Sequence, residues 1–375
     1  MRILHIVLAN YFADGEGYQE NRLPFYNYKH GHEVEILSST VVYNSYKTKT
    51  LKPSTYINEN GIKVTRLPIK KYFPFFTKVR SHKGVLKFLK QFKPEIILFH
   101  GIQSLDLLLV SRFSKKGVTL YVDVHSDYTN SIRNLFSKFF LHRIFYKLII
   151  KLSLSSIRKV LCISPESLDF AHKEYGIPNT KLELFPLGGD IIDDENYKLS
   201  RNFVRNNLGI MNKIIFLHTG KMSIKERKTE EVIVSFSQTT NQNFILLLVG
   251  SLNKKDSKKL LDLIEKDKRI IFLGWKSQEE LTQILCASDV YVNIGGMTVT
   301  VQSSICCRCF AVLFPHKNYK LLFSDNVFYA SNAEELTDRF ALINSESLFS
   351  LKENCYNNVK DLIDYEKLSK RIEVS

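Results

Sequence analysis

Short apolar runs alternate with longer stretches of helical periodicity along the whole chain, in two successive series. In the first half, strands are expected at residues 2–8, 33–38, 63–67, 96–100, 119–124 and 159–164, with a shorter one near 183–186. Helical patterns lie between them, at 21–30, 84–91 and a long 132–156. In the second half, strands are expected at 213–219, 243–249, 270–273, 290–293, 310–314 and 326–330. Helices are expected there at 230–239, 254–266, 278–286, 299–306 and 333–344. Strands that alternate with helices form parallel sheets covered on both faces. Two such series predict two doubly wound domains, and 375 residues exceed what one core usually serves. Pro186-Leu187-Gly188-Gly189-Asp190 carries turn chemistry. The boundary is therefore placed there, giving residues 1–188, residues 189–360 and a terminal helix within 361–375 that packs back on the first domain.

Charge separates the halves. Residues 1–190 hold 28 Lys+Arg against 15 Asp+Glu, whereas residues 191–375 hold 25 against 23. The first half therefore faces an anionic partner. Two stretches concentrate the cations: residues 69–93 and residues 133–159, neither with a single acid. In the second, Arg143, Lys147 and Lys151 share a helical face, with Phe139, Phe140, Ile144 and Leu148 on others. That mix suits an anionic membrane surface. No helix-turn-helix, zinc finger or RNA-binding signature accompanies the charge, so no nucleic acid is expected. No run is long and apolar enough to span a bilayer. The opening Met1-Arg2-Ile3-Leu4-His5 reads as a strand and not as a signal peptide. The six cysteines read as buried, reduced thiols. Cys306-Cys307-Arg308-Cys309 lacks a second ligand pair at zinc spacing, and no metal site is expected.

The residues 214–236, IIFLHTGKMSIKERKTEEVIVSF, read as a buried strand, a tight turn and a helix start. Gly220-Lys221 and the loop Lys225-Glu226-Arg227-Lys228 bring cations to that turn, which suits a phosphate or diphosphate. A second glycine turn, Asn293-Ile294-Gly295-Gly296-Met297-Thr298, lies between a strand and a helix. Its backbone amides, from Gly296 to Thr298, make a second candidate cradle. In the first half, Gly15 and Gly17 follow the opening strand without a full GxGxxG pattern, so they read as a cleft-lining loop and not as a dinucleotide site. His125 follows the strand LYVDV, where it can bond a sugar hydroxyl or a phosphate or carry a proton. As a plain surface residue it would instead bond Asp123 or Asp127. His100, after ILF, has the same placement.

Taken in order, these pieces resemble the family 4 glycosyltransferases. They are MRILHIV, GEGYQENRLPFYNYKHGHEVEIL, DVHSDY, CISPESLDFAHKEYGIP, LFPLGGD, HTGKMSIKERKTEEVIVSF, LLLVG and IIFLGWKSQEELTQILCASDVYV, followed by the glycine turn with its helix. The resemblance implies the α/β GT-B fold, two Rossmann-like doubly wound domains facing across a cleft. It implies a nucleotide-sugar donor held by the second domain without a metal or other cofactor, and a glycan or lipid-linked acceptor held by the first. It implies a hexosyltransferase that retains anomeric configuration. By the family's pattern, Lys221 and either Arg227 or Lys228 contact the donor diphosphate, the loop around Trp275 lies where the base binds, and His125 lies near the donor sugar. The pattern departs at one point. The family's two glutamates, eight positions apart, fall on Gly295 and Ser303, with Arg308 and Phe310 in place of a glycine and a proline. Gln302 or Ser303 is then the candidate ribose contact. The expected role is surface polysaccharide assembly in the cytoplasm, at the inner face of the membrane. The alternative is a non-catalytic nucleotide-binding scaffold of the same pathway.

Overall fold

The computed structural model describes residues 1–44, 47–70, 80–128 and 137–374. Contacts divide the chain into two units, Met1–Leu187 with Tyr365–Ser375, and Gly188–Asp364.

The first unit is built on eight strands. In chain order, its elements are β1 (Arg2–Val7), α1 (Gln19–Lys29), β2 (Glu33–Ser39), the separate hairpin β3 (Val41–Asn44) and β4 (Lys47–Thr50), β5 (Ser54–Ile57), β6 (Lys63–Leu67), α2 (Val85–Phe92), β7 (Ile96–Phe99), α3 (Asp106–Ser114), β8 (Thr119–Val124), α4 (Lys147–Ser153), β9 (Ile157–Cys162), α5 (Pro165–Tyr175) and β10 (Leu182–Leu184). The sheet order is β10-β9-β8-β7-β1-β2-β6-β5, with only β5 antiparallel to its neighbour. Its strands are apolar on both faces because helices cover both. Leu4 and Ile6 join one core, whereas Ile3 and Val7 join the core on the opposite face. The long helix expected over 132–156 is a wider π-type turn over Ser137–Tyr146, then α4, then a 3-10 turn over Leu154–Ser156. Residues 132–136 of that expectation, and 71–79 of the first basic stretch, lie outside the described residues.

The second unit carries α6 (Asp194–Leu208), β11 (Ile214–Met222), α7 (Thr229–Ser237), β12 (Phe244–Leu252), α8 (Ser257–Ile264), β13 (Ile270–Gly274), α9 (Gln278–Ala287), β14 (Val290–Asn293), α10 (Thr300–Cys306), β15 (Phe310–Leu313), α11 (Lys317–Phe323), β16 (Phe328–Tyr329), α12 (Ala333–Ala341) and α13 (Ser345–Ile363). The sheet is parallel throughout, in the order β13-β12-β11-β14-β15-β16. Helix starts follow their capping residues. Ser277 opens α9 with a reciprocal bond to Glu280, and Asn344 opens α13 by accepting from the amides of Glu346 and Ser347. A last helix, α14 (Tyr365–Ile372), belongs to the first unit, where Tyr365, Leu368 and Ile372 enter the core on the α1 side.

The two strand orders fix where ligands can bind. In open parallel sheets, the crevice opens beyond the carboxyl ends of the strands where the order reverses. That point lies between β1 and β7 in the first unit and between β11 and β14 in the second.

Candidate functional site

At the switch point of the second unit, β11 ends in Gly220-Lys221-Met222 and β14 ends at Asn293. The loop after β11 closes on itself. The Arg227 amide donates to Ser223 Oγ at 3.2 Å, the Thr229 amide to the Ser223 carbonyl at 3.1 Å, and the Ile224 amide to Asp256 at 3.0 Å. Beneath the loop, His218 is fully buried. It bridges the Val292 carbonyl (2.9 Å) and Thr229 Oγ1 (3.1 Å), and burial lowers its pKa to about 4, so it serves as a neutral tie.

This closed loop touches the second glycine turn. Arg227 Nη1 donates to the Gly296 carbonyl at 3.2 Å, as does Asn293 Nδ2 at 3.1 Å, and the Gly296 amide donates to the Glu226 carbonyl at 3.2 Å. A Cβ on Gly295 would stand 2.7 Å from Arg227 Cα, so only glycine admits this approach. The Arg227 guanidinium also lies beside Gly220, within 4 Å of where its Cβ would be. Gly220, Arg227, Gly295 and Gly296 thus form one cluster, and Lys221 is exposed at the adjoining strand end.

Three expectations change here. Lys228 is drawn elsewhere: it takes a left-handed backbone at φ 53°, and its amine donates to the Ser331 carbonyl at 2.7 Å over the Phe314 ring. Arg227 is the cation at the glycine turn. The amide cradle over Gly296–Thr298 is engaged internally at both ends, because the Gly296 amide meets Glu226 and the Thr298 amide donates to Tyr319 Oη at 3.1 Å. Gln302 is buried, and its amide nitrogen lies 3.2 and 3.0 Å from the Thr298 and Val299 carbonyls, so it braces the start of α10 and is not open to a ribose. Ser303 is half-buried with its backbone packed against Gly189, where a Cβ would come within 2.9 Å. Met297 is exposed and accepts from Asn318. Trp275 follows β13 and is 76% exposed, which leaves an aromatic face open to stack.

In the first unit, Asp123 ends the inward row of β8 and is a fully buried hub. It accepts from His100 Nδ1 (2.6 Å), the Gly101 amide (2.6 Å) and Gln19 Nε2 (3.1 Å), and His125 Nε2 lies 3.3 Å away. Burial alone would raise its pKa, but His125 and His100 outweigh burial and hold the carboxyl well below its usual range. Burial likewise works against a charge on His125. Asp123, with a smaller contribution from Glu20, outweighs it and raises His125 to about 9. His125 is therefore a cation at neutral pH, suited to donate a hydrogen bond and not to accept a proton. Gly15 is exposed at φ 76°, with its amide on Glu59 at 2.8 Å, and Gly17 is half-buried just before α1.

The sequence shows the members of this hub singly and not as a unit. Strand parity carries the signal: Ile3, Leu98 and Tyr121 share one core, so His5, His100 and Asp123, each two residues on, lie on the same face.

Among the described residues, no three His, Cys, Asp or Glu stand together as a metal site, and no helix is long and apolar enough to cross a membrane. All six cysteines are free and buried.

The family model described as Glycosyltransferase Family 4 matches residues 28–191. No curated protein matches the chain. Solved structures resemble it over nearly their full length. HepE of Anabaena, solved in complex with UDP, is 14% identical, with a TM-score of 0.68 over 100% of this chain and 98% of that one. A glycosyltransferase of Rickettsia africae ESF-5 is 16% identical, with a TM-score of 0.70 over 100% and 97%. WaaG, a glycosyltransferase involved in lipopolysaccharide biosynthesis, is 14% identical, with a TM-score of 0.62 over 100% of both chains. The family 4 model thus matches within little more than the first unit, and the chain as a whole shares the two-domain GT-B fold of these structures.

Proposed function

We propose that the chain transfers a hexose, with retention, from a nucleoside-diphosphate donor to a glycan or lipid-linked glycan acceptor in surface polysaccharide assembly. The observation that carries this reading is the cluster of Gly220, Arg227, Gly295 and Gly296 at the switch point of the second sheet, with Lys221 beside it. Lys221 and Arg227 stabilise the charge that develops on the leaving diphosphate, a task that needs no covalent intermediate. Trp275 offers a stacking face for the base, and His125 donates to the sugar. HepE was solved with UDP, which supports a nucleoside diphosphate as the donor's leaving group.

Thermal stabilisation by a panel of nucleotides tests the donor site. One nucleoside diphosphate should raise the melting temperature of the wild type. Lys221→Ala and Arg227→Ala should each weaken its binding about tenfold or more, since charged hydrogen bonds contribute about 1.5–3 kcal/mol. If no nucleotide stabilises the wild type, the scaffold reading replaces the enzyme.

The acceptor's lipid is supported by the surface around α4. Ile144, Leu148 and Leu152 are each more than half exposed and recur every four residues, so they line one helical face. Lys147 and Lys151 lie exposed beside them, while Arg143 is paired with Glu174 at 2.7 Å. An apolar ridge edged by lysines suits the boundary of an anionic leaflet. Lys147→Ala with Lys151→Ala should weaken sedimentation with vesicles of anionic lipid about thirtyfold. Unchanged sedimentation of the double variant would remove the membrane from the proposal.

A further inference from the structure

A chain of buried hydrogen bonds runs from Asp123 across the sheet to the far side of α1. His100 Nδ1 bonds Asp123 at 2.6 Å, and His100 Nε2 meets His5 Nδ1 at 3.1 Å with the two rings stacked. His5 Nε2 meets Asn27 Oδ1 at 2.9 Å. Asn27 Nδ2 donates to Glu373 Oε1 at 2.7 Å and to the Ser369 carbonyl at 3.4 Å. His5, Asn27, His100 and Asp123 are all fully buried, so the chain is shielded from solvent along its length.

The partners at the two ends determine where the protons lie. Asn27 faces two acceptors with its nitrogen, which fixes its oxygen toward His5. His5 must then donate from Nε2. A neutral His5 accepts at Nδ1, and so His100 donates from Nε2. His100 also faces the Asp123 carboxylate with Nδ1 and donates there too. The chain therefore holds one proton more than two neutral imidazoles. That proton belongs on His100, whose Nδ1 faces the Asp123 carboxylate at 2.6 Å, and not on His5, which faces only His100 and the neutral Asn27 amide oxygen.

We propose that Asp123 and His100 form a buried ion pair, oriented through His5 and Asn27 by the C-terminal segment, that positions His125 as a fixed hydrogen-bond donor. His100 keeps Asp123 ionised. Asp123, its other lone pairs taken by Gly101 and Gln19, then holds His125 in one orientation and one charge state. Glu20 of α1 also acts on His125, in the same direction as Asp123. At the opposite end, Glu373 is shared with His30 (2.6 Å) and His32 (3.5 Å), and His30 lies 3.6 Å from Glu366. These surface groups anchor α14 to α1 and so keep Asn27 turned the required way. Asp123 and His100 are positioning residues, because they act through His125.

The inference rests on the proposed transfer reaction for its consequence, but its first test does not. Nuclear magnetic resonance of the full chain, with nitrogen-15 in the histidines, reads both ring nitrogens of each one. At neutral pH, His100 should carry protons on both nitrogens and His5 on Nε2 alone, while His125 should titrate near 9. A singly protonated His100, or a His5 protonated at Nδ1 alone, would overturn the proposal in the wild type, without any variant. In Asp123→Asn, the His125 midpoint should fall by at least two pH units, and an unmoved midpoint would overturn it equally. Given a working assay, Asp123→Asn should lower kcat on the order of 100-fold, with the donor KM changed less than about twofold. The wild-type rate should fall as pH rises through about 9, and that limb should move to lower pH in the variant. The expected spectra with an undiminished kcat would remove the positioning role while leaving the reaction in place.

Discussion

Gly250→Ala should lower the stability of the second unit by about 3 kcal/mol or more and abolish nucleotide binding with it. Gly250 of β12 pairs in register with Gly220 of β11, and both adopt positive φ, 138° and 115°. A Cβ at position 250 would lie 1.9 Å from the Gly220 carbonyl oxygen and 2.7 Å from its carbon, all backbone atoms that no rotamer change can move. The two central strands would have to part at their carboxyl ends, where Lys221 and Arg227 are presented. Gly220→Ala separates strain from collision. Its Cβ would meet nothing closer than the Arg227 guanidinium at 3.7 Å, so the cost should be that of the backbone angle alone, about 1–3 kcal/mol. Urea denaturation of the two variants checks this order. A Gly250→Ala protein within about 1 kcal/mol of the wild type would show that the close strand approach is not required.

The doubly wound halves were legible because a parallel strand buried on both faces leaves an unmistakable apolar run. IILF and VYVN fall where β7 and β14 are, and the glycine turn after VYVN was recognised with them. The hairpin of β3 and β4 and the edge strand β5 were not read, because exposed polar sequences such as KTKT and STYI carry no burial pattern to betray them. α6 is likewise hard to see in the sequence, although Asp193 caps its start and Gly209 ends it in the left-handed region. Its surface is too polar for the apolar period to stand out.

The site was legible at the level of its segments and not of its atoms. Sequence placed cations and glycines together after β11 and β14, which the fold brings to one switch point. It could not choose between Arg227 and Lys228. That choice depends on a left-handed residue that turns one side chain toward Gly296 and the other toward Ser331. Nor could it show that Gln302 turns back on its own helix. The histidine chain was hidden for another reason: His5, Asn27, His100 and Asp123 are far apart in sequence and meet only when strand order is known.

Asp289→Asn should destabilise the second unit by about 3–5 kcal/mol, since it strands buried cations without their counter-charge. Asp289 precedes β14 with its side chain 5% exposed. It receives Arg201 at 2.6 Å, Arg205 at 2.6 Å, Lys352 at 3.1 Å and the Ile215 amide at 2.9 Å, which ties α6, α13 and the start of β11 to one carboxylate. Burial pushes its pKa up, but Lys352, Arg201, Arg205 and the amide outweigh burial and set it at about 2. Arg201 and Arg205 respond in opposite directions. Burial opposes both charges, yet Asp289 and Tyr197 carry Arg201 above its usual range, whereas Arg205, which also meets the charge of Arg201, falls below it. Removing the carboxylate should therefore cost most at Arg205. Because the folded value lies below that of an unfolded aspartate, near 4, the stabilisation is complete above that pH and is lost as pH falls toward 2. The wild type should lose about 2–3 kcal/mol across that window from this group, and Asp289→Asn should lose that much less. Denaturation midpoints at pH 7, 5, 4, 3 and 2 measure both effects. Equal acid sensitivity in the two proteins would assign the acid limb to other carboxylates and leave Asp289 without the role its four partners indicate.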